Sequence, residues 1–562
     1  MNRKERRRQE KAAQKQAKTA KLAHGAPTQS AQTPGAAAGG GGVSNLLFNH
    51  AMNKAAAQQE SELDRELRQI SDKLNAGFTG EALQACQNLN LKHPNHPEIH
   101  QLSGIAHFMN QAWDQATECF EAVLTHDAKN VAALNYLGDL AIEKNDLESA
   151  QSYFQGAVKN GPDDLASLQR LAYIYHRLEN ATEAAEIYPK IISIDPNSAE
   201  NYLNYGYALF KLGQLEEAVK EYRRAIKLNS ELGLAYINLG TALSGLDNDA
   251  EAISSFRRGL KILPDHAEGT IGLARCLRAQ DNYGEAAKCF KQGLKLAPDR
   301  TAIFWELGYS LELSGDKAGG QKAYETCLEH NPDHSVARHL LDSLLGNTTE
   351  AAPQGYIEEL FDDYASSFDD SLVNELNYVV PKLIRAQLDK IEGDQLIQSV
   401  LDLGGGTGLV AAEIKDLVEP NSGIIHGVDL SSGMLEIADQ NQRYDQSFVA
   451  DILAFLDDKK IGLPRYELII AGDVFVYLGN LEQVFSGAYA RLEKGGRFIF
   501  TVERLSDGDF ALEPTGRYAH GKNYIRGLAG KYDFDIKEIE KIIPRQDGDQ
   551  AINGFLASLQ KN

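Results

Sequence analysis

Small and aromatic residues recur along residues 63–334 with a period of 34. One column holds small residues at Ala82, Ala116, Ala150, Ala184, Ala218, Ala252, Ala286 and Gly320. The eighth position of each repeat holds Gly104, Gly138, Ala172, Gly206, Gly240, Ala274 and Gly308. A large column holds Phe120, Phe154, Tyr188, Tyr222, Phe256, Phe290 and Tyr324. Prolines stand at multiples of 34 from Pro94 to Pro332. The pattern predicts paired helices that approach closely at the small residues, with aromatic side chains filling the space between neighbouring pairs and proline ending each second helix.

This pattern resembles the tetratricopeptide repeat (TPR), in eight copies. Four leucines, Leu340, Leu341, Leu344 and Leu345, predict a terminal helix that caps the last repeat, so the all-α TPR solenoid should cover residues 63–346. The resemblance implies a concave groove that binds a protein partner or a peptide. Asn204 and Asn238 share the sixth position of consecutive repeats, where related families use asparagine to hold a peptide backbone. The alternative is that both are solvated polar side chains.

From about residue 350 the period of 34 ends, and short apolar segments begin to alternate with helical patterns. Strands are predicted at Ser399–Leu403, Ile424–Asp429, Phe448–Val449, Glu467–Ala471 and Arg497–Val502. Helices are predicted between them, for example at Val410–Leu417 and Leu481–Leu492. This alternation is typical of a parallel α/β sheet.

A glycine-rich segment, VLDLGGGTG at 400–408, ends the first of these strands and opens a helix. Glycines there permit a tight turn and let backbone N–H groups come close to a ligand. Asp429 ends the next strand, where a carboxylate can accept both hydroxyls of a ribose. Asp451 follows the third strand and can pair with an adenine amino group, and Asp473 follows the fourth. The segment therefore predicts a nucleotide-like ligand.

Two other nucleotide-binding motifs fit less well. Leu409 occupies the place of the last glycine of a dinucleotide fingerprint, and the Gly-Lys-Ser/Thr of a phosphate-binding loop is absent. With Lys494–Gly496 as a turn into the fifth strand, the ordered acids and glycines resemble the class I methyltransferases over about residues 355–562. The resemblance implies a Rossmann-like α/β domain that binds S-adenosylmethionine (SAM). By that resemblance the cofactor site comprises Asp402, Gly404, Gly406, Asp429, Leu430, Asp451, Ile452, Asp473 and Tyr364.

The segments flanking the glycine loop narrow the resemblance. Residues 356–369 and 376–381 resemble the lead-in helices of bacterial methyltransferases that carry TPR repeats. By that analogy Tyr356 and Tyr364 would close over the cofactor, whereas the alternative is ordinary helix packing.

Methyl transfer from a sulfonium mainly requires an acceptor atom held in line with the methyl group, so no metal is expected. An oxygen or nitrogen acceptor that carries a proton also needs a general base or a relay to water. His520 is the first candidate, because an imidazole titrates near neutral pH, and Glu503 is the second. His520 can instead be structural or orient the substrate. A carboxylate acceptor would need no base.

Charge is unevenly distributed along the chain. The net charge is −22, but residues 1–24 carry +7, which leaves −29 for the rest. So acidic a body would repel phosphate backbones, and nucleic acid is not expected as a partner except through the basic N-terminal arm. Residues 1–45 form that arm and a Gly/Ala/Pro-rich continuation, both predicted to be disordered, and 46–62 are predicted to be a linker helix.

The remaining composition limits the protein class. No apolar segment approaches the roughly 18–20 residues that a membrane span needs. Five scattered cysteines without a CxxC pair favour reduced thiols and a cytoplasmic location. The sequence predicts a methyltransferase domain over 347–562, and a fragment that begins near residue 352 should fold and bind SAM alone.

Three functions remain open. The repeats can recruit a protein that the domain or its complex methylates. The domain can methylate a small molecule, such as a lipid or sugar intermediate, while the repeats only localise it. The chain can also be a non-catalytic SAM-binding scaffold, although the intact glycine and acid positions disfavour this hypothesis.

Overall fold

The computed structural model describes residues 61–357, 377–390, 396–458, 462–547 and 550–562. The predicted arm at 1–45 and all but the last two residues of the predicted linker helix lie outside these residues. The chain divides into two compact units between Ala297 and Pro298.

The first unit consists of seven helix pairs, one for each of the first seven predicted repeats. The helices are α1 Glu62–Asn75, α2 Thr79–Lys92, α3 Pro97–Met109, α4 Trp113–His126, α5 Val131–Glu143, α6 Leu147–Asn160, α7 Leu165–Arg177, α8 Ala181–Ile194, α9 Ala199–Lys211, α10 Leu215–Leu228, α11 Gly233–Ser244, α12 Asp249–Ile262, α13 Ala267–Ala279 and α14 Tyr283–Leu296. Several begin at side-chain caps, as where Asn130 accepts the N–H of Ala133 at 2.9 Å. The predicted α-helical repeat architecture is confirmed.

The small-residue columns explain how the helices of a pair pack. A Cβ added to Gly138 would lie 2.4 Å from the ring of Phe154, which is in the second helix of the same pair. At Gly206 the same addition would come within 2.7 Å of the Tyr222 ring. The aromatic residues of the large column therefore pack against the glycine of the same helix pair and fill the space between its two helices. Phe120 shows that it also reaches the next pair, because its ring stacks on Tyr136 at 4.7 Å between centroids.

The second unit begins with the eighth helix pair. After a short 3₁₀ turn at Thr301–Ile303, α15 spans Phe304–Leu313 and α16 spans Lys317–His330. The predicted capping helix is α17, Ser335–Leu345, and it ends at Gly346 with a left-handed φ of 72°. Its buried residues Val336, Ala337, Leu340 and Leu341 pack with Tyr324, Cys327 and Leu328.

The rest of the second unit is a doubly wound sheet. Its strands are β1 Ser399–Leu403, β2 Ile424–Asp429, β3 Gln446–Val449, β4 Tyr466–Ala471, β5 Leu492–Leu505, β6 Phe510–Leu512, β7 Tyr518–Gly521, β8 Phe534–Ile542 and β11 Gly554–Lys561, while β9 Gln546–Asp547 and β10 Gln550–Ala551 form a separate hairpin. The main order is β3-β2-β1-β4-β5-β11-β8. The first five are mutually parallel, and β11 lies antiparallel between β5 and β8. The expected parallel α/β architecture is confirmed, with an antiparallel strand near one edge.

Helices cover both faces of the sheet. Their bounds are α18 Val380–Asp389, α19 Leu409–Ile414, α20 Ser432–Gln440, α21 Ile452–Asp457, α22 Glu482–Arg491 and α23 Lys522–Lys531. Leu401 and Phe498 belong to the core that includes α21, α22 and α23, whereas their neighbours Val400 and Ile499 belong to the core that includes α18, α19 and α20. Successive residues of each strand thus enter opposite cores, as expected for a strand buried on both faces.

Several predicted boundaries differ from the structure, most of them by one to three residues, and the two largest differences have a visible cause. The helix predicted to reach Leu417 is α-helical only to Ile414 and ends in a 3₁₀ turn. The fifth strand begins at Leu492, not at Arg497, because the chain pairs with β4 both before and after an irregular segment. The Lys494–Gly496 segment lies inside that irregularity, where Gly495 has a φ of +80°.

The segment 347–357 is hydrogen-bonded to two loops of the sheet domain. Ala352 donates its N–H to the carbonyl of Tyr477 at 2.9 Å. Gly479 and Asn480 both donate to the carbonyl of Glu350, each at 2.9 Å. Thr348 accepts the N–H of Leu512 at 3.3 Å. The period of 34 residues continues through the eighth repeat, whereas the packing divides the chain between Ala297 and Pro298. The two criteria therefore place the domain boundary differently.

Candidate functional site

Three aspartates singled out from the sequence lie at the carboxyl ends of strands: Asp402 is the penultimate residue of β1, Asp429 is the last residue of β2, and Asp473 lies two residues after β4. The chain leaves β1 towards β2 on one side, and β4 pairs with β1 on the other. Ligands of open α/β sheets bind outside the strand ends at such a switch in strand order. Asp402, Asp429 and Asp473 all lie at this edge, as predicted from the sequence.

The glycine loop depends on its lack of side chains. Gly404, Gly406 and Gly408 have φ values of +65°, +54° and +81°, a region that favours glycine. Gly405 has a different constraint, because an added Cβ would lie 2.0 Å from the hydroxyl of Tyr444. The loop can thus bring backbone N–H groups close to a ligand only with glycine at these positions.

Asp402 is a buried acid on β1 below the loop, with 1% of its surface exposed. The hydroxyl of Tyr444 donates to its Oδ2 at 2.9 Å. Burial raises the pKa of Asp402 to about 7, although the Tyr444 hydrogen bond lowers it and the neighbouring Asp429 raises it. The carboxyl group therefore changes charge near neutral pH.

Asp429 connects β2 to the glycine loop. Its Oδ2 accepts the N–H of Gly406 at 2.8 Å, and its Oδ1 accepts the N–H of Ser431 at 2.9 Å. Burial raises the pKa of Asp429, against these backbone donors, which lower it. The backbone N–H of Leu430 is a third donor that lowers this pKa, so of the roughly four acceptor positions of a carboxylate at least one remains for a ligand.

The next strand end supplies a second acid and an apolar side chain. Parallel pairing sets Asp429 opposite Val449, so Leu430 follows one strand and Asp451 and Ile452 follow its neighbour. Asp451 caps α21 by accepting the N–H of Ala454 at 2.9 Å, and Ile452 is buried. Residues predicted for the sugar and the base thus follow adjacent strands.

Asp473 and Glu503 belong to a charged cluster at the ends of β4 and β5. Arg545, 2% exposed, makes short ion pairs with both carboxylates. Arg517 lies 3.8 Å from the Glu503 oxygen. Burial raises the pKa of Glu503, while Arg545 and Arg517 lower it. Asp473 adopts a left-handed φ of +58° and donates its N–H to Thr501 at 2.8 Å.

His520 lies in β7 and is completely buried. Its Nε2 lies 3.0 Å from the carbonyl of Gly479, and Tyr524 stacks on the ring with 6.2 Å between centroids. Burial lowers the pKa of His520 to about 4. An imidazole with that pKa is a weak base at neutral pH.

Of the two tyrosines expected to close over the cofactor, one lies within the described residues. Tyr356 packs on His339, with 4.4 Å between the ring centroids. A Cβ added to Gly516 would lie 3.1 Å from its hydroxyl. Tyr364 lies outside the described residues.

Sequence analysis missed Tyr444, Arg545 and Arg517. A signal for Tyr444 was present in Gly427, since an isolated glycine within a strand suggests a close approach. An added Cβ at Gly427 would lie 2.5 Å from the Tyr444 ring. Arg545 follows β8, and no local pattern marks it. Arg517 precedes β7 in the segment 516–520, which resembles the corresponding part of TPR-carrying methyltransferases, but nothing in that pattern singles out the arginine.

In the first unit, Asn204 and Asn238 lie on α9 and α11, and both are half-buried. Asn204 is a hydrogen-bond partner of the Tyr188 hydroxyl. The same hydroxyl lies 2.8 Å from Nε2 of His176. Asn204 is therefore already engaged with a neighbouring repeat.

Comparison with known families assigns both parts of the chain. A model described as a methyltransferase domain matches residues 401–498. Models described as TPR or tetratricopeptide repeats match residues 102–164, 137–199, 188–220, 206–247 and 250–307. The chain thus contains TPR repeats and a methyltransferase domain.

Two curated relatives are methyltransferases. Phosphoethanolamine N-methyltransferase 2 of Caenorhabditis elegans is 27% identical over 160 residues, which cover 26% of this chain and 35% of the relative. Malonyl-[acyl-carrier protein] O-methyltransferase 1 of Ilyobacter polytropus is 26% identical over 180 residues, which cover 28% of this chain and 64% of the relative. The chain thus spans less than two thirds of the length of either.

Solved structures similar to this chain include repeat proteins. A crystal structure of MamA protein has a TM-score of 0.29 at 23% identity and covers 31% of this chain and 96% of its own. YrrB, titled a TPR protein with an unusual peptide-binding site, has a TM-score of 0.30 at 20% identity and covers 33% of this chain and 96% of its own.

No helix in the described ranges has the length and apolar character needed to cross a membrane. Within the same ranges, no three or more His, Cys, Asp or Glu side chains are grouped so that they could hold a metal ion.

Proposed function

We propose that this chain, which joins TPR repeats to a methyltransferase domain, transfers a methyl group from SAM to an acceptor that its repeats help to recruit. The observation that carries the proposal is the Asp429 carboxylate, which bonds the glycine loop through Gly406 at 2.8 Å while keeping acceptor capacity for ribose hydroxyls.

The other residues at the strand ends fit the same cofactor. The glycine loop has no Cβ atoms to obstruct a ligand, and Asp402 lies buried beneath it. Leu430 and Ile452 offer apolar contacts to a base, and Asp451 offers a carboxylate at its edge. Asp473 would border the cofactor on the side of β4.

When bound, SAM supplies a methyl group on a positively charged sulfur, which leaves as a neutral thioether. The chain's own contribution is to bind and orient, since Asp429 and the loop N–H groups are held by the fold before any ligand arrives. His520 and Glu503 were the candidate bases. His520 is bonded to a carbonyl and Glu503 is paired with Arg545, so we propose structural and positioning roles for them.

The repeats are proposed to recruit a protein or peptide. The seven helix pairs of the first unit form a repeat array, an architecture that presents an extended surface for binding. We propose Asn238 as a groove contact, with Asn204 acting together with Tyr188.

A second candidate is a small-molecule methyltransferase that the repeats merely localise. The names of the two relatives favour it, because one acts on phosphoethanolamine and the other on a malonyl group carried by a protein. Incubation with methyl-labelled SAM and an extract of the source cells distinguishes the candidates, since the label enters either protein or an extractable small molecule.

Replacement of Asp429 tests cofactor binding. Asp429→Ala should weaken SAM binding by about 1–3 kcal/mol, because two ribose hydroxyls lose their acceptor. This corresponds to about 5- to 150-fold in Kd, measured by calorimetry. Asp439→Ala removes an exposed carboxylate from α20 and is the matched control. An unchanged Kd in Asp429→Ala would contradict the assignment of the SAM site.

A further inference from the structure

Two guanidinium groups at the ends of β4 and β5 differ in what they contact. Arg545 is enclosed and pairs with both Asp473 and Glu503. Arg517 has 30% of its side chain exposed, and among the residues that the structure describes its ion pair is the 3.8 Å contact with Glu503. That distance is too long for a hydrogen bond, so Glu503 does not occupy the guanidinium donors of Arg517.

The loop that carries Arg517 is fixed by the last helix of the repeat array. His339 Nε2 lies 2.8 Å from the carbonyl of Gly516, and Ser343 donates its hydroxyl to the carbonyl of Glu513 at 2.8 Å. Both side chains are buried, at 2% and 3% exposure. The loop also closes on itself, since Glu513 donates its N–H to the carbonyl of Arg517 at 2.8 Å. Arg517 is thus held before a ligand binds.

This loop lies at the edge of the sheet where an acceptor must approach. It leads directly into β7, and β7 runs parallel to the end of β5 with Ala519 opposite Glu503. Asp473, two residues after β4, shares Arg545 with Glu503. Arg517 therefore borders the strand ends beside the proposed cofactor site, on the side away from Asp429.

Three candidate bases at the ends of β4, β5 and β7 are engaged with other groups. His520 is enclosed, with Nε2 facing the carbonyl of Gly479. Glu503 and Asp473 are both ion-paired to Arg545. An acceptor that has already lost its proton would not require a base.

Charge balance favours the same type of acceptor. Within the cluster, Asp473 and Glu503 are matched by Arg545 and Arg517. A sulfonium cofactor would add one positive charge, which a negatively charged acceptor would neutralise and a cationic one would oppose.

We propose that Arg517 binds a carboxylate of the methyl acceptor and that the product is a methyl ester; this inference rests on the proposed SAM-dependent function. A carboxylate oxygen forms the new bond to the methyl carbon. The carbon–sulfur bond breaks, its electron pair stays on sulfur, and no proton is transferred. His339 and Ser343 are positioning residues that act through the Gly516 and Glu513 carbonyls.

The test uses the full chain, tritium-methyl SAM and an extract of source cells that lack this gene. Methyl esters release labelled methanol in alkali, whereas N-methyl and methyl ether products do not. We expect most of the transferred label to become volatile. Arg517→Met should reduce transfer on the order of 10- to 100-fold by removing charge-assisted hydrogen bonds. Arg526→Met, at an exposed arginine of α23, is the matched control and should leave transfer unchanged.

Calorimetry separates the two proposals. Arg517→Met should bind SAM with an unchanged Kd, and a weakened Kd would overturn its assignment to the acceptor. Alkali-stable label would overturn the carboxylate while leaving SAM-dependent transfer intact. Failure of the wild-type protein to bind SAM would instead overturn the proposed function. SAM binding without any transfer would count against both.

The positioning role has its own readout. His339→Leu should lower transfer at limiting extract, with the SAM Kd unchanged. His339→Gln keeps an N–H donor and should restore transfer. Equal losses in both variants would contradict positioning through the Gly516 carbonyl, and a matched thermal unfolding curve would exclude general misfolding.

Discussion

Asp402 should destabilise the unliganded protein at and above neutral pH. Its carboxyl group is 1% exposed, and burial raises its pKa to about 7. In the unfolded chain an aspartate has a pKa of about 3.9. Between these values the folded protein binds a proton that the unfolded chain has released, so stability falls as pH rises.

The size of this effect follows from the shift. Each unit of pKa corresponds to about 1.36 kcal/mol, so the full difference approaches about 4 kcal/mol. The contribution is fully present below about pH 4, declines as pH rises, and is lost above about pH 7. Between pH 5 and pH 8, the wild-type protein should therefore lose about 3 kcal/mol that Asp402→Asn does not lose.

The assay is urea unfolding of the full chain at pH 5 and pH 8. Unfolding is monitored by hydrogen exchange at the backbone amides of β1. This signal reports on the second unit, because both strands that pair with β1 belong to that unit. The quantity compared is the free energy of unfolding of Asp402→Asn minus that of the wild type. It should become more positive with pH, and Asp439→Asn on exposed α20 should give a pH-independent difference.

Tyr444→Phe provides a second check, because the Tyr444 hydroxyl lowers the pKa of Asp402. Its removal should raise that pKa further and extend the pH range over which stability falls. If Asp402→Asn and the wild type had parallel pH profiles, Asp402 would be ionised throughout and the reasoning from burial would be refuted. If Asp402→Asn is more stable than the wild type but binds SAM more weakly, cofactor binding would explain why an acid that lowers stability occupies this position.

Three further predictions concern packing and charge. Gly138→Ala should lower the free energy of unfolding of the first unit by about 1–3 kcal/mol through its overlap with Phe154. Gly284→Ala, with no atom within 4 Å of the new Cβ, should raise it by up to about 1 kcal/mol; thermal unfolding compares the two, and equal effects would refute the packing argument. Arg545→Met should cost about 3–5 kcal/mol at neutral pH by leaving buried carboxylates unpaired. Part should return as the pH falls, because burial raises the pKa of Glu503 and the variant lacks the Arg545 charge that lowers it; a pH-independent loss in urea unfolding would contradict this. A fragment of 298–562 should melt at a higher temperature than one beginning at 352, which lacks α17; equal melting temperatures would show that α17 adds no stability.

The parts of the fold that sequence analysis predicted well are those with local signals. Strands β1 and β2 have the predicted bounds, because each is a short apolar run followed by a glycine or an acid at a parallel strand end. The glycine columns predicted close approach, and the Gly138–Phe154 contact is its physical basis. β5 was predicted too short, since its first residues pair with β4 ahead of an irregular segment that no periodicity marks.

Residues brought together over long sequence separations were not predictable in the same way. Arg545 reaches Asp473 across 72 residues, and His339 reaches Gly516 across 177. His339 and Ser343 occupy polar positions within the leucine pattern of a capping helix, where they read as its solvated side. They are buried instead, because that side of α17 packs on the sheet domain.

One side of the proposed site is built from residues close in sequence and the other from residues far apart. Substitutions elsewhere in the chain should therefore affect the two sides differently. The proposed cofactor side is built from consecutive strand–helix turns, so changes elsewhere in the chain have few contacts through which to alter it. The proposed acceptor side combines the loop before β7, the segment after β8 and α17, which also caps the last repeat. A displacement of α17 would move the Gly516 carbonyl and with it Arg517, while the bonds of Asp429 to the glycine loop would stay in place. We therefore expect a change in the eighth helix pair, which packs on α17, to alter the proposed acceptor binding and to leave the proposed SAM affinity unchanged.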